Sequence, residues 1–160
     1  MEINHTLKQL RNPWKFQTYL MLKLPLAWIM RLRIKEVNLI SCVVVLPFKR
    51  RNLNPFNSLY FAAQIAAAEL STGLLLLVAI NERRDISMLV QTVEASFSKK
   101  AVSDVDFVCN EGEKITKAIA ETIITGEAVK FIVHSQGFDK LGDLVCTANI
   151  TWSIKRKSKY

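Results

Sequence analysis

Asn54-Pro55-Phe56-Asn57-Ser58-Leu59-Tyr60-Phe61-Ala62-Ala63-Gln64-Ile65-Ala66-Ala67-Ala68-Glu69 runs without a break into Leu70-Ser71-Thr72-Gly73 and the apolar run Leu74 to Ile80. A polar loop here turns into a helix, with Asn57 or Ser58 placed to cap it by accepting a hydrogen bond from an orphaned backbone N–H. Alanine is the strongest helix former, and its small side chain lets other elements approach closely. A membrane span needs about 20 apolar residues. The window Leu59 to Ile80 is interrupted by Gln64, Glu69, Ser71, Thr72 and Gly73, so it reads as a helix buried in protein.

Upstream, Ile34 to Leu46 is β-branched and aliphatic, broken at Asn38 and ended by Pro47, as a bent pair of strands would be. Downstream the period changes to two, with Leu89, Val93, Ala95 and Phe97 alternating with polar residues. Residues 104 to 109 form a further strand, and Asn110 with Glu113 resembles a capping box opening a short helix that Gly126 ends. Two last strands, Ala128 to Gln136 and Leu144 to Ile154, are joined by a turn around Gly137 and Gly142. Cys146, Ala148, Ile150, Trp152 and Ile154 share one face of the second. This order predicts an α+β protein with a mainly antiparallel sheet. One curved sheet covers only part of a helix apolar on nearly all sides, which predicts a homodimer, alone or paired into a tetramer.

The 160 residues are about one domain, and with 50% hydrophobic and 22% charged residues the chain is neither disordered nor fibrous. The net charge of +8 resides entirely in the first 51 residues. Within it, residues 12 to 33 read as two short helices broken at Pro25. Either Trp14, Phe16, Leu20, Leu24, Trp28 and Met30 pack on the domain while Lys15, Lys23, Arg31 and Arg33 stay in water, or the segment is an amphipathic surface making peripheral contact with an anionic membrane or an acidic partner. The expected organisation is a helical extension over 1–33, a domain over 34–154 and a basic tail over 155–160. No nucleic-acid partner is expected, because the basic residues lack interleaved stacking aromatics on a sheet face. Cys42, Cys109 and Cys146 are too scattered for a disulfide framework or a zinc site, so three reduced core thiols and no metal are expected. The first ten residues lack the apolar run of a secretory signal, which fits a cytoplasmic protein. Dinucleotide, P-loop, serine-hydrolase and zincin motifs are absent. His134, on a strand, reads as a sheet-face histidine, and no cofactor is implied.

Glu69 is the residue that needs a reason, since a carboxylate among alanines is costly unless paired or hydrated. It is either a general base or nucleophile beside substrate, or a glutamate reaching solvent or the dimer interface. Gln64 falls toward another face of the helix. Ser71 and Thr72 either orient a water or bond back to helix carbonyls, the commoner arrangement.

The chain resembles the hotdog-fold acyl-coenzyme A thioesterase superfamily, nearest to uncharacterised single-domain members, over about Pro25 to Ile154. Phenylacetate-degradation-type thioesterases carry a pattern close to Asn-Pro-x-Gly-x-x-His-Gly-Gly, with Asp or Glu nine residues after the His. Asn54 and Pro55 match its opening and Glu69 matches its acid without a gap. Asn57, Tyr60 and Phe61-Ala62 depart from it, standing where the pattern has Gly, His and Gly-Gly. The resemblance implies a curved sheet wrapped around a central helix and a homodimer. It also implies hydrolysis of an acyl thioester of coenzyme A or acyl carrier protein, driven by Glu69, often across the subunit interface. Asn54 would position water or carbonyl, and backbone N–H groups around Tyr60, Phe61 and Ala62 would hold the thioester oxygen. Lys49, Arg50 and Arg51 would suit coenzyme A phosphates. A dimer that binds an acyl or other apolar ligand without turning it over is the alternative, favoured by Phe61 and the missing Gly-Gly.

Overall fold

The computed structural model describes residues 4–81, 83 and 85–157. Helices α1 (His5–Leu10), α2 (Pro13–Lys23) and α3 (Pro25–Ile29) precede β1 (Arg33–Val37) and β2 (Cys42–Leu46). A 3-10 turn (Arg50–Asn52) leads into α4 (Phe61–Ile80), then β3 (Ile86–Phe97), β4 (Val105–Cys109), α5 (Gly112–Thr125), β5 (Val129–Phe138) and β6 (Leu144–Arg156). The strands form one sheet in the order β1-β2-β4-β5-β6-β3, with every neighbouring pair antiparallel. Helix α4 lies against β2, β4, β5, β6 and α5, so the sheet curves around it as a hotdog fold requires.

The cause lies in α4 itself. Ala67, Ala68 and Gly73 are small enough for close approach, while Leu74, Leu75 and Leu76 are fully buried. Each buried leucine stabilises the fold by about 2 kcal/mol. Among the described residues α4 is the helix long and apolar enough to cross a membrane, yet most of it is buried in the domain. Asn38 breaks the first strand pair as expected, its Oδ1 accepting from the N–H groups of Ile40 and Ser41, both at 2.8 Å. The inward stripe of β6 from Cys146 to Ile154 is buried throughout, and all three cysteines are buried free thiols.

Several expectations are corrected. Helix α4 starts at Phe61 with Tyr60 as an N-cap that makes no side-chain cap, because Ser58 is hydrogen-bonded to Asn54 and Asn57 sits at φ +56° within the loop. Helix α5 likewise lacks the Asn110–Glu113 box: Glu111 is its N-cap residue. The carboxylate of Glu111 turns instead to His134, accepting from its backbone N–H at 2.6 Å. Partial burial draws the Glu111 carboxyl upward, but the His134 hydrogen bonds and the Lys114 charge outweigh it and hold the group low.

Strand β3 does not keep one parity. Its register shifts between Val90 and Thr92, so Val93, Ala95 and Phe97 oppose Ile150, Ala148 and Cys146, whereas Leu89 opposes Ser153 on the outer face. A bulge of this kind inserts a residue and re-aims everything beyond it. Strand β6 runs on into the basic tail as far as Arg156, and the end of that tail, 158–160, lies outside the described residues. Of the N-terminal apolar set, Phe16, Leu20 and Met30 are buried, but Trp14, Leu24 and Trp28 are exposed.

Gly137 is also not in a turn. It belongs to β5, opposite Cys146 and Phe107, and the Phe107 ring lies over its bare Cα. A Cβ there would sit 2.8 Å from Phe107 Cε1 and 3.1 Å from Val105 Cγ1. Gly137→Ala should therefore cost about 1–3 kcal/mol, read as a lowered midpoint in urea unfolding. An unchanged midpoint would mean that the ring moves aside freely.

Candidate active site

The loop before α4 is held by its own side chains. Asn54 Oδ1 accepts from Phe56 N–H at 2.9 Å and Ser58 N–H at 3.2 Å, while its Nδ2 donates to Ser58 Oγ at 2.9 Å. Asn54 thus braces the loop. Buried Asn52 ties that loop to the N-terminal layer, donating Nδ2 to the carbonyls of Met30 and Pro47. Its own carbonyl accepts from Tyr60 N–H at 2.8 Å, which fixes where α4 begins.

The first intrahelical bond runs from Gln64 N–H to Tyr60 C=O. The N–H groups of Phe61, Ala62 and Ala63 are therefore left at the positive end of a 20-residue helix that has no side-chain cap. They adjoin a cavity of about 540 Å³ lined by Asn54, Tyr60, Phe61, Gln64, Phe97 and Lys100, among others. Phe61 is 52% exposed, its ring edge-on to Tyr60 at 4.9 Å and to Phe97 at 6.4 Å. Gln64, 5% exposed, donates Nε2 to Leu59 C=O at 3.1 Å and leaves Oε1 buried without a partner. The cavity is thus bounded by the start of α4, the Gln64 side chain and an aromatic wall of Tyr60, Phe61 and Phe97.

Glu69 lies two turns further along α4, in line with Ala62 and Ile65 on the half-exposed stripe of the helix. Burial raises its carboxyl pKa, and no side chain among the described residues hydrogen-bonds it. Gly73, one turn on, makes room for it: a Cβ there would stand 3.3 Å from Glu69 Oε1 and 3.5 Å from the Trp152 ring. Trp152 Nε1 donates to Thr72 Oγ1 at 3.0 Å. The Thr72 and Ser71 hydroxyls bond back to the carbonyls of Glu69 and Ala68, and Ser71 also meets Ser135 at 2.8 Å. Tyr19 of α2 stands within electrostatic reach, its hydroxyl pushed up by burial and then by the Glu69 charge.

Within one chain, then, Asn54, Tyr60 and Phe61 share a cavity that Glu69 does not line. Ala62 is exposed beside it on the first helical turn. Lys49, Arg50 and Arg51 are exposed on the 3-10 turn, where Arg51 donates to Ile29 C=O at 3.1 Å. The cations lining the cavity are instead Lys99, paired with Asp139 and Asp143, and Lys100. Phe97 and Lys100 reach the cavity, and Tyr19 reaches Glu69, through long-range packing that no local window displays, whereas Gln64, read in the sequence as falling toward another face of the helix, lines the cavity.

A family model described as a domain of unknown function, DUF4442, matches residues 12–154. The chain belongs to the DUF4442 family. No curated protein matches the sequence significantly. Solved structures share the fold at low identity. One is a protein of unknown function from Pseudomonas aeruginosa described as a probable thioesterase, with a TM-score of 0.74 and 19% identity over 91% of this chain and 97% of that one. Another, of unknown function, comes from Chlorobaculum tepidum, with a TM-score of 0.77 and 12% identity over 94% and 99%. A thioesterase from Haemophilus influenzae gives 0.69 and 12% over 93% and 94%. This DUF4442 chain therefore has the hotdog architecture found in thioesterase-like proteins.

Proposed function

We propose that this DUF4442 protein hydrolyses an acyl thioester of coenzyme A or acyl carrier protein, with Glu69 as its base. The observation that carries the reading is a half-buried carboxylate of raised pKa, without a hydrogen-bonding side chain, on the central helix of a hotdog fold whose first N–H groups are uncapped. Glu69 takes a proton from water, the water oxygen bonds to the acyl carbon, and the N–H groups of Phe61 and Ala62 hold the oxyanion. The C–S bond then breaks, the thiolate leaves, and the proton is returned to it. Direct attack by Glu69 through an anhydride is the other route, and a single turnover in ¹⁸O-water places label in the Glu69 carboxylate only by that route, when water opens the anhydride at the Glu69 carbonyl.

Glu69 and the cavity stand apart within one chain, which supports a homodimer in which each subunit completes the other's site. The half-exposed stripe of α4 and the inward residues Val93 and Phe97 of edge strand β3 are the surfaces a second copy would cover.

The test is thiol release from short, medium and long acyl-coenzyme A substrates, with Glu69→Ala and Asn54→Ala alongside. The expected result is turnover by the natural protein that both variants lose. A second reading, a ligand-binding dimer, is favoured by Phe61, whose ring packs toward Phe97 beside the helix start. That reading prevails if no substrate turns over while acyl-coenzyme A raises the melting temperature.

A further inference from the structure

We propose that α2 and α3 dock the protein on an anionic lipid surface. Helical spacing puts Trp14, Thr18, Met21 and Leu22 on the stripe of α2 opposite buried Phe16 and Leu20. Past Pro25, no residue of α3 is buried. Trp14 is 85% exposed, Leu22 68% and Leu26 67%, and Met21, Leu24, Trp28 and Ile29 are exposed with them. From Met21 to Met30 the only polar side chain is that of Lys23, and the one nearby hydroxyl, Thr18, is already donated to Trp14 C=O at 2.9 Å. Lone surface apolar residues are ordinary, but a contiguous patch of this kind marks an interaction site.

The charge around the patch selects the partner. No acidic residue occurs between Asn4 and Lys35, and Lys8, Lys15, Lys23 and Arg31 make no ion pair among the described residues. A second copy would bring like charge against like. A protein partner would have to bring its own acidic rim around an apolar centre, since the polar groups here are cations that donate and do not accept. An anionic bilayer needs neither: Trp and Leu enter the interface, Lys and Arg reach lipid phosphates, and only about ten residues broken by Pro25 are available, enough to lie on a membrane and too few to cross it. On the other side of α2, a cleft of about 600 Å³ between the N-terminal helices and β1 is lined by Leu10, Phe16 and Ile34, by Arg11 and Arg31, by Arg33, which pairs with Asp104 at 3.8 Å, and by Glu36, so its charge is mixed and the exposed stripe alone carries the docking.

The test is sedimentation with vesicles of phosphatidylcholine, with and without about one-third phosphatidylglycerol. The natural protein should bind the anionic vesicles only and release at high salt, with a blue shift in emission from Trp14 and Trp28, Trp152 being buried already. Leu22→Ser/Leu26→Ser and Lys15→Glu/Lys23→Glu, all at exposed positions, should each lower the partition coefficient about tenfold or more with the melting temperature unchanged. The proposal is overturned by absence of binding to anionic vesicles or by binding that both variants retain. It is equally overturned if the patch variants abolish only self-association, or only capture of an acidic protein such as acyl carrier protein. None of these readouts depends on thioester hydrolysis.

Discussion

Glu69→Gln is expected to lower thioester turnover by about 100-fold or more while making the folded protein more resistant to heat at neutral pH. Both effects come from one circumstance, a carboxylate raised in pKa by burial on a helix that gives it no hydrogen-bonding partner. Because folding raises the pKa, the ionised form is disfavoured in the native state. Below the unfolded value the group is neutral in both states and costs nothing; as pH climbs through the unfolded and then the folded value, stability is lost. Glutamine keeps the shape and removes the charge. The melting temperature of Glu69→Gln should thus exceed that of the natural protein by a few degrees at about pH 8, with the gap closing near pH 4. A gap independent of pH would show that the Glu69 carboxyl titrates alike in the folded and unfolded chain, as a fully hydrated group would. Turnover retained by a stabilised Glu69→Gln would remove this residue from the chemistry.

How far the sequence anticipates the molecule depends on the range of the forces involved. Helix α4 was legible because alanine propensity, length and a run of apolar residues broken by a single charge, Glu69, all lie within one window. The same window singles out Glu69 as a carboxylate among alanines, whereas Asn54, Tyr60 and Phe61 were named by the resemblance to the thioesterase pattern, which lies on the same unbroken stretch. The start of α4 was misplaced because the cap-competent Ser58 is claimed by Asn54, a choice between two local hydrogen bonds that composition does not reveal. The parity of β3 depends on a register shift opposite Trp152 and Thr151, some sixty residues away. Separations of about 36 to 50 residues likewise hide Phe97, Lys100 and Tyr19 from any reading of the loop. Nor does an aromatic-basic segment disclose which of its apolar residues face the domain: Phe16 and Leu20 do, while Trp14 and Trp28 do not.

Gly112→Ala is expected to be the most destabilising single methyl in the chain, at about 3 kcal/mol or more, or about 6 °C or more in melting temperature. Gly112 opens α5 where the helix meets the turn between β1 and β2, and its N–H donates to Ile40 C=O at 2.9 Å. A Cβ would overlap the Leu39 carbonyl oxygen and stand 2.6 Å from Ile40 Cα and 2.8 Å from Ile40 O. These are backbone atoms on both sides, so no rotamer change relieves the overlap. Either α5 lifts from the turn, breaking the Ile40 bond, or β1 and β2 shift together. Gly126→Ala is the useful contrast: nothing lies within 4 Å of its Cβ position, so its φ of +76° leaves only a left-handed backbone penalty of about 1–2 kcal/mol. Equal losses at the two positions would mean that α5 and the turn are not in the close contact described. Since α5 packs on α4, Gly112→Ala should lose turnover only where it unfolds, whereas Glu69→Gln should lose it in a protein that melts later than the natural one. Measured together, the two variants separate a residue needed for the fold from one that the fold bears at a cost.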